Sequence, residues 1–239
     1  MALTITFRES VYSTSAATAY ATTGTYTPAE NSLLIAFVVG SLASSPTDPS
    51  SVTGHGVTWA KITLASNTVG GTHAISVWVA NSGASPSTTA VTANWGSNRT
   101  GAAVIEFEVT GWNVSNPVEN AIIQKPVNTA TTGTTGTVTL ATAKYNDNRP
   151  LSFWVHLANE ATTPRTNWTE TTGADGNYNT PATGAEAQFR SDAFETTASA
   201  TWTTTINWFG VAIEVQAALE LPFPQTEVPI FDKVGVVGY

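Results

Sequence analysis

Val91-Thr-Ala-Asn-Trp95 followed by Val104-Ile-Glu-Phe-Glu-Val109 returns, in order and character, as Ser199-Ala-Thr-Trp202 followed by Val211-Ala-Ile-Glu-Val215. Each copy is an alternating run that ends on tryptophan, then an apolar run that carries glutamate. Alternation at period two marks a half-buried strand, and a short apolar run marks a fully buried one. The correspondence extends upstream. Ala21-Thr-Thr-Gly-Thr-Tyr-Thr27 matches Gly133-Thr-Thr-Gly-Thr-Val-Thr139, and Leu33-Leu-Ile-Ala-Phe-Val-Val39 matches Leu151-Ser-Phe-Trp-Val-His-Leu157. Tryptophan-centred segments (Val57-Thr-Trp59 and Thr166-Asn-Trp168) and the runs Ala74–Ala80 and Ala185–Ser191 complete the series.

Two units of about five strands each, bounded by Gly, Pro, Asn and Ser, predict an all-β protein. The units could pack face to face or interleave their strands. Interleaving is the expectation, because Gly111 to Asn128 lacks the composition of a flexible linker and the halves should share a core. The predicted fold is a jelly-roll-like antiparallel β-sandwich over residues 1–220, with related halves at about 20–112 and 130–217. Thr129 to Thr137 is Thr/Gly-rich and reads equally as an edge strand or a loop. Ala212 to Leu221 is the one mildly helix-friendly stretch, and it overlaps the last strand.

Composition agrees with this class. Hydrophobic residues make up 41% of the 239, whereas charged residues make up 11%, about half the usual share. Thr, Ser, Asn and Ala must therefore cover the surface, and β-branched and aromatic residues favour pleated surfaces over exposed helices. A net charge of −8 offers no basic patch for phosphates, which disfavours nucleic acid and anionic lipid as partners. There is no cysteine, so neither a disulfide framework nor a thiolate metal site is available. The opening Met-Ala-Leu-Thr-Ile-Thr has no signal-peptide character, and Leu33 to Val39, the longest apolar run, is far shorter than a membrane span. The expectation is a protein made in a cytoplasm, with no membrane partner.

After Leu221 the character changes. Pro222, Pro224 and Pro229 disfavour helix and central strand, which leaves an extended C-terminal arm over 221–239. The arm carries Phe223, Ile230, Phe231, Val234, Val237 and Tyr239, too apolar a set for a solvated tail. It packs either on its own sandwich or on a neighbouring subunit, by adding a strand to an exposed edge.

Candidate chemistry is sparse. Glu106 and Glu108 alternate along one strand and face one side, as paired glycosidase carboxylates do. Glu214 matches Glu106 in the repeat, so the simpler reading is a solvent-facing position of a recurrent strand. His55, His73 and His156 show no zinc spacing and read as structural. Asp175-Gly-Asn-Tyr reads as a turn and lacks the ligand alternation of a calcium loop. Trp59, Trp78, Trp95, Trp154, Trp168 and Trp202 fall within strand patterns and belong in the core. Trp112 and Trp208, in a turn and near a strand start, are the candidates for stacking on a ligand. No cofactor and no metal are expected, and the chain reads as a non-enzyme.

The succession Asn31-Ser-Leu-Leu-Ile-Ala-Phe, Gly56-Val-Thr-Trp59, Ile75-Ser-Val-Trp78, Val91-Thr-Ala-Asn-Trp95 and Ala103-Val-Ile-Glu-Phe-Glu-Val-Thr-Gly-Trp112 resembles the jelly-roll structural proteins of tailed bacteriophages. The resemblance covers most of residues 20 to 217, through structural motifs, and the arm lies outside it. It implies a virion protein, a head decoration or minor capsid component located in the virion. Its partners would be major capsid or tail subunits and further copies of itself. The alternative is a carbohydrate- or host-receptor-binding module of a tail or fibre, with a glycan as partner.

Overall fold

Leu33 to Val39 is apolar at every position because both faces of that strand are covered. Side chains of a strand alternate between faces. Here Leu33, Ile35, Phe37 and Val39 enter one core, while Leu34, Ala36 and Val38 enter another. The structure is a computed structural model and describes residues 3–115 and 117–218. In the first half the strands are β1 (Thr4–Ser13), β2 (Ala17–Ala21), β3 (Leu33–Ser41), β4 (Ser51–Thr53), β5 (Ala60–Ile62), β6 (Thr68–Val69), β7 (His73–Asn81), β8 (Thr92–Arg99) and β9 (Gly101–Thr110). The second half contains β10 (Ile122–Gln124), β11 (Val127–Ala130), β12 (Thr135–Thr139), β13 (Arg149–His156), β14 (Thr163–Pro164), β15 (Asp175–Tyr178), β16 (Thr183–Phe189), β17 (Thr197–Thr201) and β18 (Trp208–Val215). Among the described residues the helical content is a single 3-10 turn, Val118–Ala121.

Each half is a pair of antiparallel sheets. The first has a long sheet in the order β1-β9-β3-β7-β5, with β6 also on β7, and a short sheet β2-β8-β4. The second repeats this, with a long sheet β10-β18-β13-β16-β15, β11 also on β18, and a short sheet β12-β17-β14. An all-β sandwich is thus what forms, as the alternation predicts. The interleaved arrangement does not form. Among the described residues every ladder joins strands of one half, and the pairing that joins residues of the two repeat segments is the isolated bridge between Trp112 and Ala217. The reason lies in the two-faced apolar strands. A short sheet covers one face of each long sheet, and the other half's long sheet covers the remaining face, so neither half needs to lend a strand.

The result is a four-layer stack, short–long–long–short, with three cores. The central one joins the two long sheets through Ile35, Phe37, Ile105 and Phe107 on one side and Leu151, Phe153, Val211 and Ile213 on the other. Phe37 and Phe153 stack at its centre, 5.0 Å apart and 21° from parallel. Burying side chains of this size contributes about 1.5–3 kcal/mol each. Polar contacts ring this core. Ser41 Oγ and the Tyr178 hydroxyl lie 2.6 Å apart, His73 Nε2 and Thr183 Oγ1 also 2.6 Å, and Ser10 Oγ donates to Gly173 O at 2.7 Å. The outer cores are tryptophan-rich. Trp59, Trp78 and Trp95 fill the first, and Trp154, Trp168, Trp202 and Trp208 the second.

The strand registers refine the internal correspondence. Leu33 pairs with Val109, and Arg149 pairs with Val215. Leu33 is therefore the structural counterpart of Arg149, and Phe37 that of Phe153. By the same register Glu214 corresponds to Glu108, and Glu106 to Ala212. Three local expectations are also settled. Thr129 to Thr137 splits into the end of β11 and the start of β12, Asp175–Tyr178 is strand β15 and not a turn, and Ala212 lies within β18.

Candidate functional site

Glu106 and Glu108 lie on one face of β9, as the alternation predicts. That face looks into the first half's outer sandwich, and both side chains are buried, at 0% and 1% exposure, instead of facing solvent. Two loops and the edge strand close over them. The Tyr26 hydroxyl donates to Glu106 Oε1 at 2.8 Å, and His55 Nε2 lies 2.9 Å from the same oxygen. The Ala29 amide donates to Glu108 Oε1 at 2.6 Å, and Arg8 Nε donates to Glu108 Oε2 at 2.7 Å. The Arg8 guanidinium sits 5.0 Å above the Tyr26 ring, and the Tyr26 and His55 rings meet edge to face at 4.7 Å.

His55 reaches this place through backbone that most residues avoid. Its φ is +56°, between Gly54 at +145° and Gly56 at +70°. A Cβ at Gly54 would stand 2.7 Å from Ala90 O, so the turn is tight as well as left-handed. The Nδ1 atom of His55 lies 3.2 Å from the Ser87 carbonyl, which can only accept, so Nδ1 carries a hydrogen. The Nε2–Glu106 contact then shares one proton between imidazole and carboxylate. Burial alone would push His55 down, but the hydrogen bond and charge of Glu106 outweigh it and hold the imidazole above its ordinary value. Glu106 is itself raised by burial, against the hydrogen bonds from His55 and Tyr26. Both shifts keep the shared proton in place.

The second half carries a partial copy. Glu214 Oε1 accepts from the Lys144 amide at 2.9 Å and from Asn148 Nδ2 at 2.5 Å, while Oε2 accepts from Gln124. Glu108 fastens the loop that precedes β3 with help from Arg8 of β1, and Glu214 likewise fastens the loop that precedes β13 with help from Gln124 of β10. Nothing there matches His55 or Tyr26. His156 stacks on Trp202 at 4.9 Å, and burial pushes it down to about 4. Burial also pushes His73 down to about 4. A third acidic group comprises Glu170, Asp175 and the buried Glu186, whose two carboxylate oxygens have no hydrogen-bond partner among the described residues. Burial first, then the charges of Glu170 and Asp175, drive Glu186 well above the carboxylate range. Among the described residues no group of three His, Cys, Asp or Glu is arranged to hold a metal ion.

The two stacking candidates are elsewhere than expected. Trp112 is 3% exposed, with its indole N–H donating to Asn31 O at 2.8 Å, and Trp208 is 5% exposed between Trp154 and Trp202. Trp112 belongs to the central core, with its backbone bridged to Ala217, and the other core tryptophans enclose Trp208. Neither presents a ring face. The six tryptophans expected in the core are all buried. Phe223, Ile230, Phe231, Val234, Val237 and Tyr239 lie outside the described residues. Sequence reasoning missed Tyr26 and His55 as members of the carboxylate cluster. The available signal was Gly54-His55-Gly56, where flanking glycines permit the turn that sends the ring inward.

A cleft of about 750 Å³ opens beside this cluster, with walls from Gly56, Val57, Ala60, Gly83, Val114 and Val118. Val114, 60% exposed, is the one exposed large hydrophobic side chain among the described residues. No protein-family model, no curated protein and no solved structure matches the chain.

Proposed function

We propose that the chain is a structural protein of a bacteriophage virion, a head decoration or minor capsid component that binds neighbouring subunits through sandwich edges and residues 221–239. One observation carries this reading. The two halves fuse through a shared core into one four-layer slab whose long sheets end, among the described residues, in edge strands that include the ten-residue β1. A slab of this kind is a rigid building unit, and unpaired edge groups accept a strand from a neighbour. From β1 to β5 and from β11 to β15 consecutive strands alternate between the long and the short sheet, which supports a jelly-roll description of both halves. The buried carboxylates support the same reading, because Glu108 and Glu214 fasten loops. The carbohydrate-binding alternative needs exposed aromatic faces, and Trp112 and Trp208 supply none.

Co-sedimentation tests the proposal. Full-length chain should saturate empty phage heads and lose that binding when truncated after Glu220. A chain left in the supernatant with heads and tails alike would overturn it.

A further inference from the structure

The cleft beside Val114 forms where the loop after Gly56, the turn Asn81–Ser85 and the connector between the halves meet. Gly56, Ala60 and Gly83 leave it room, Val57, Val114 and Val118 give it apolar walls, and Glu119 is the one charged group on its rim. An exposed valine beside such a cleft is a place for apolar side chains from outside the described fold. The sequence holds such a set in Ile230-Phe-Asp-Lys-Val-Gly-Val-Val-Gly-Tyr239, with Lys233 opposite in sign to Glu119.

The direction in which the chain leaves the fold favours a neighbour's segment over its own. The Asn113 amide donates to Gln216 O at 2.9 Å, Trp112 bridges Ala217, and the Ala218 amide donates to Gly111 O at 2.8 Å. This pairing is antiparallel, so from Gln216 to Ala218 the chain runs from Asn113 toward Gly111, away from Val114. Resting on the assembly reading above, we propose that residues 230–239 of a second copy of this chain occupy the cleft, with Lys233 beside Glu119. Reciprocal exchange gives a closed dimer, and one-way exchange gives an open chain of copies.

The absence of cysteine makes single introduced thiols unambiguous. Full-length Val114→Cys and Val234→Cys chains, mixed and mildly oxidised, should form a disulfide heterodimer. The expected yield is about tenfold above that of a control pair with Thr53→Cys in place of Val114→Cys, because docking raises the local thiol concentration. Val114 and Thr53 are exposed, so both variants should fold. A yield no greater than the control would overturn the proposal. So would a Val114→Cys/Val234→Cys double variant that closes within one chain at high dilution, since the segment would then be the chain's own. Head binding without cross-linking would remove this inference and leave the virion reading. Cross-linking without head binding would do the reverse.

Discussion

Glu108 and Glu214 hold the same place in the two halves, and each accepts a backbone N–H from a loop, the one that precedes β3 and the one that precedes β13. Two positions earlier on the same face the halves part: Glu106 meets His55 and Tyr26, whereas Ala212 packs in a tryptophan-rich core. What recurs is therefore architectural, a buried carboxylate that fastens a loop. What does not recur, the Tyr26–Glu106–His55 network, marks where the first half has specialised, next to the cleft.

The strongest way to break this pairing of halves is through the core that they share. Phe37→Ala and Phe153→Ala should each cost about 3–5 kcal/mol, and thermal unfolding should remain one transition. Two transitions in either variant would mean that the halves are stabilised separately.

Histidine titration sharpens the contrast between them. His156 is pushed down to about 4 by burial. Its contribution is complete above its unfolded value of about 6.5 and is lost as pH falls toward 4, with a span of about 3 kcal/mol. His55 has the opposite sign. Its raised value means that stabilisation is complete below about 6.5 and is lost as pH rises through the folded value. Urea unfolding across pH should therefore show the deficit of His55→Gln narrowing as pH rises. His156→Gln should flatten the acid limb.

Glu108→Ala and Glu214→Ala should each cost about 2 kcal/mol by leaving hydrogen-bond donors unpaired. The two losses should agree within about 1 kcal/mol, and a neutral Glu214→Ala would undo the equivalence. The smallest effect belongs to Glu186, which stays neutral in its buried site. Glu186→Gln should match wild type below about pH 4 and become progressively more stable than it as pH rises past the unfolded value of about 4.3, because the unfolded chain's carboxyl then ionises while the buried one keeps its proton.

Much of this frame is legible from the residues alone. Strand identity, the two related halves and the placing of Glu106 and Glu108 on one face all follow from periodicity. The packing of the halves does not, because an apolar run such as Leu33 to Val39 says that both faces are covered without saying by what. Burial of the glutamates escapes for a related reason. The groups that cover them, Tyr26, Ala29 and His55, come from loops distant in sequence. Trp112 sits in a turn by pattern, but its ring is buried in the core that the two halves share.

Native-state hydrogen exchange on the full chain tests the shared core most directly. Amides of β3 and β9 and those of β13 and β18 should exchange with the same free energy, that of global unfolding. Exchange from β13 and β18 at a lower free energy, with β3 and β9 still protected, would contradict a single core and a single rigid unit.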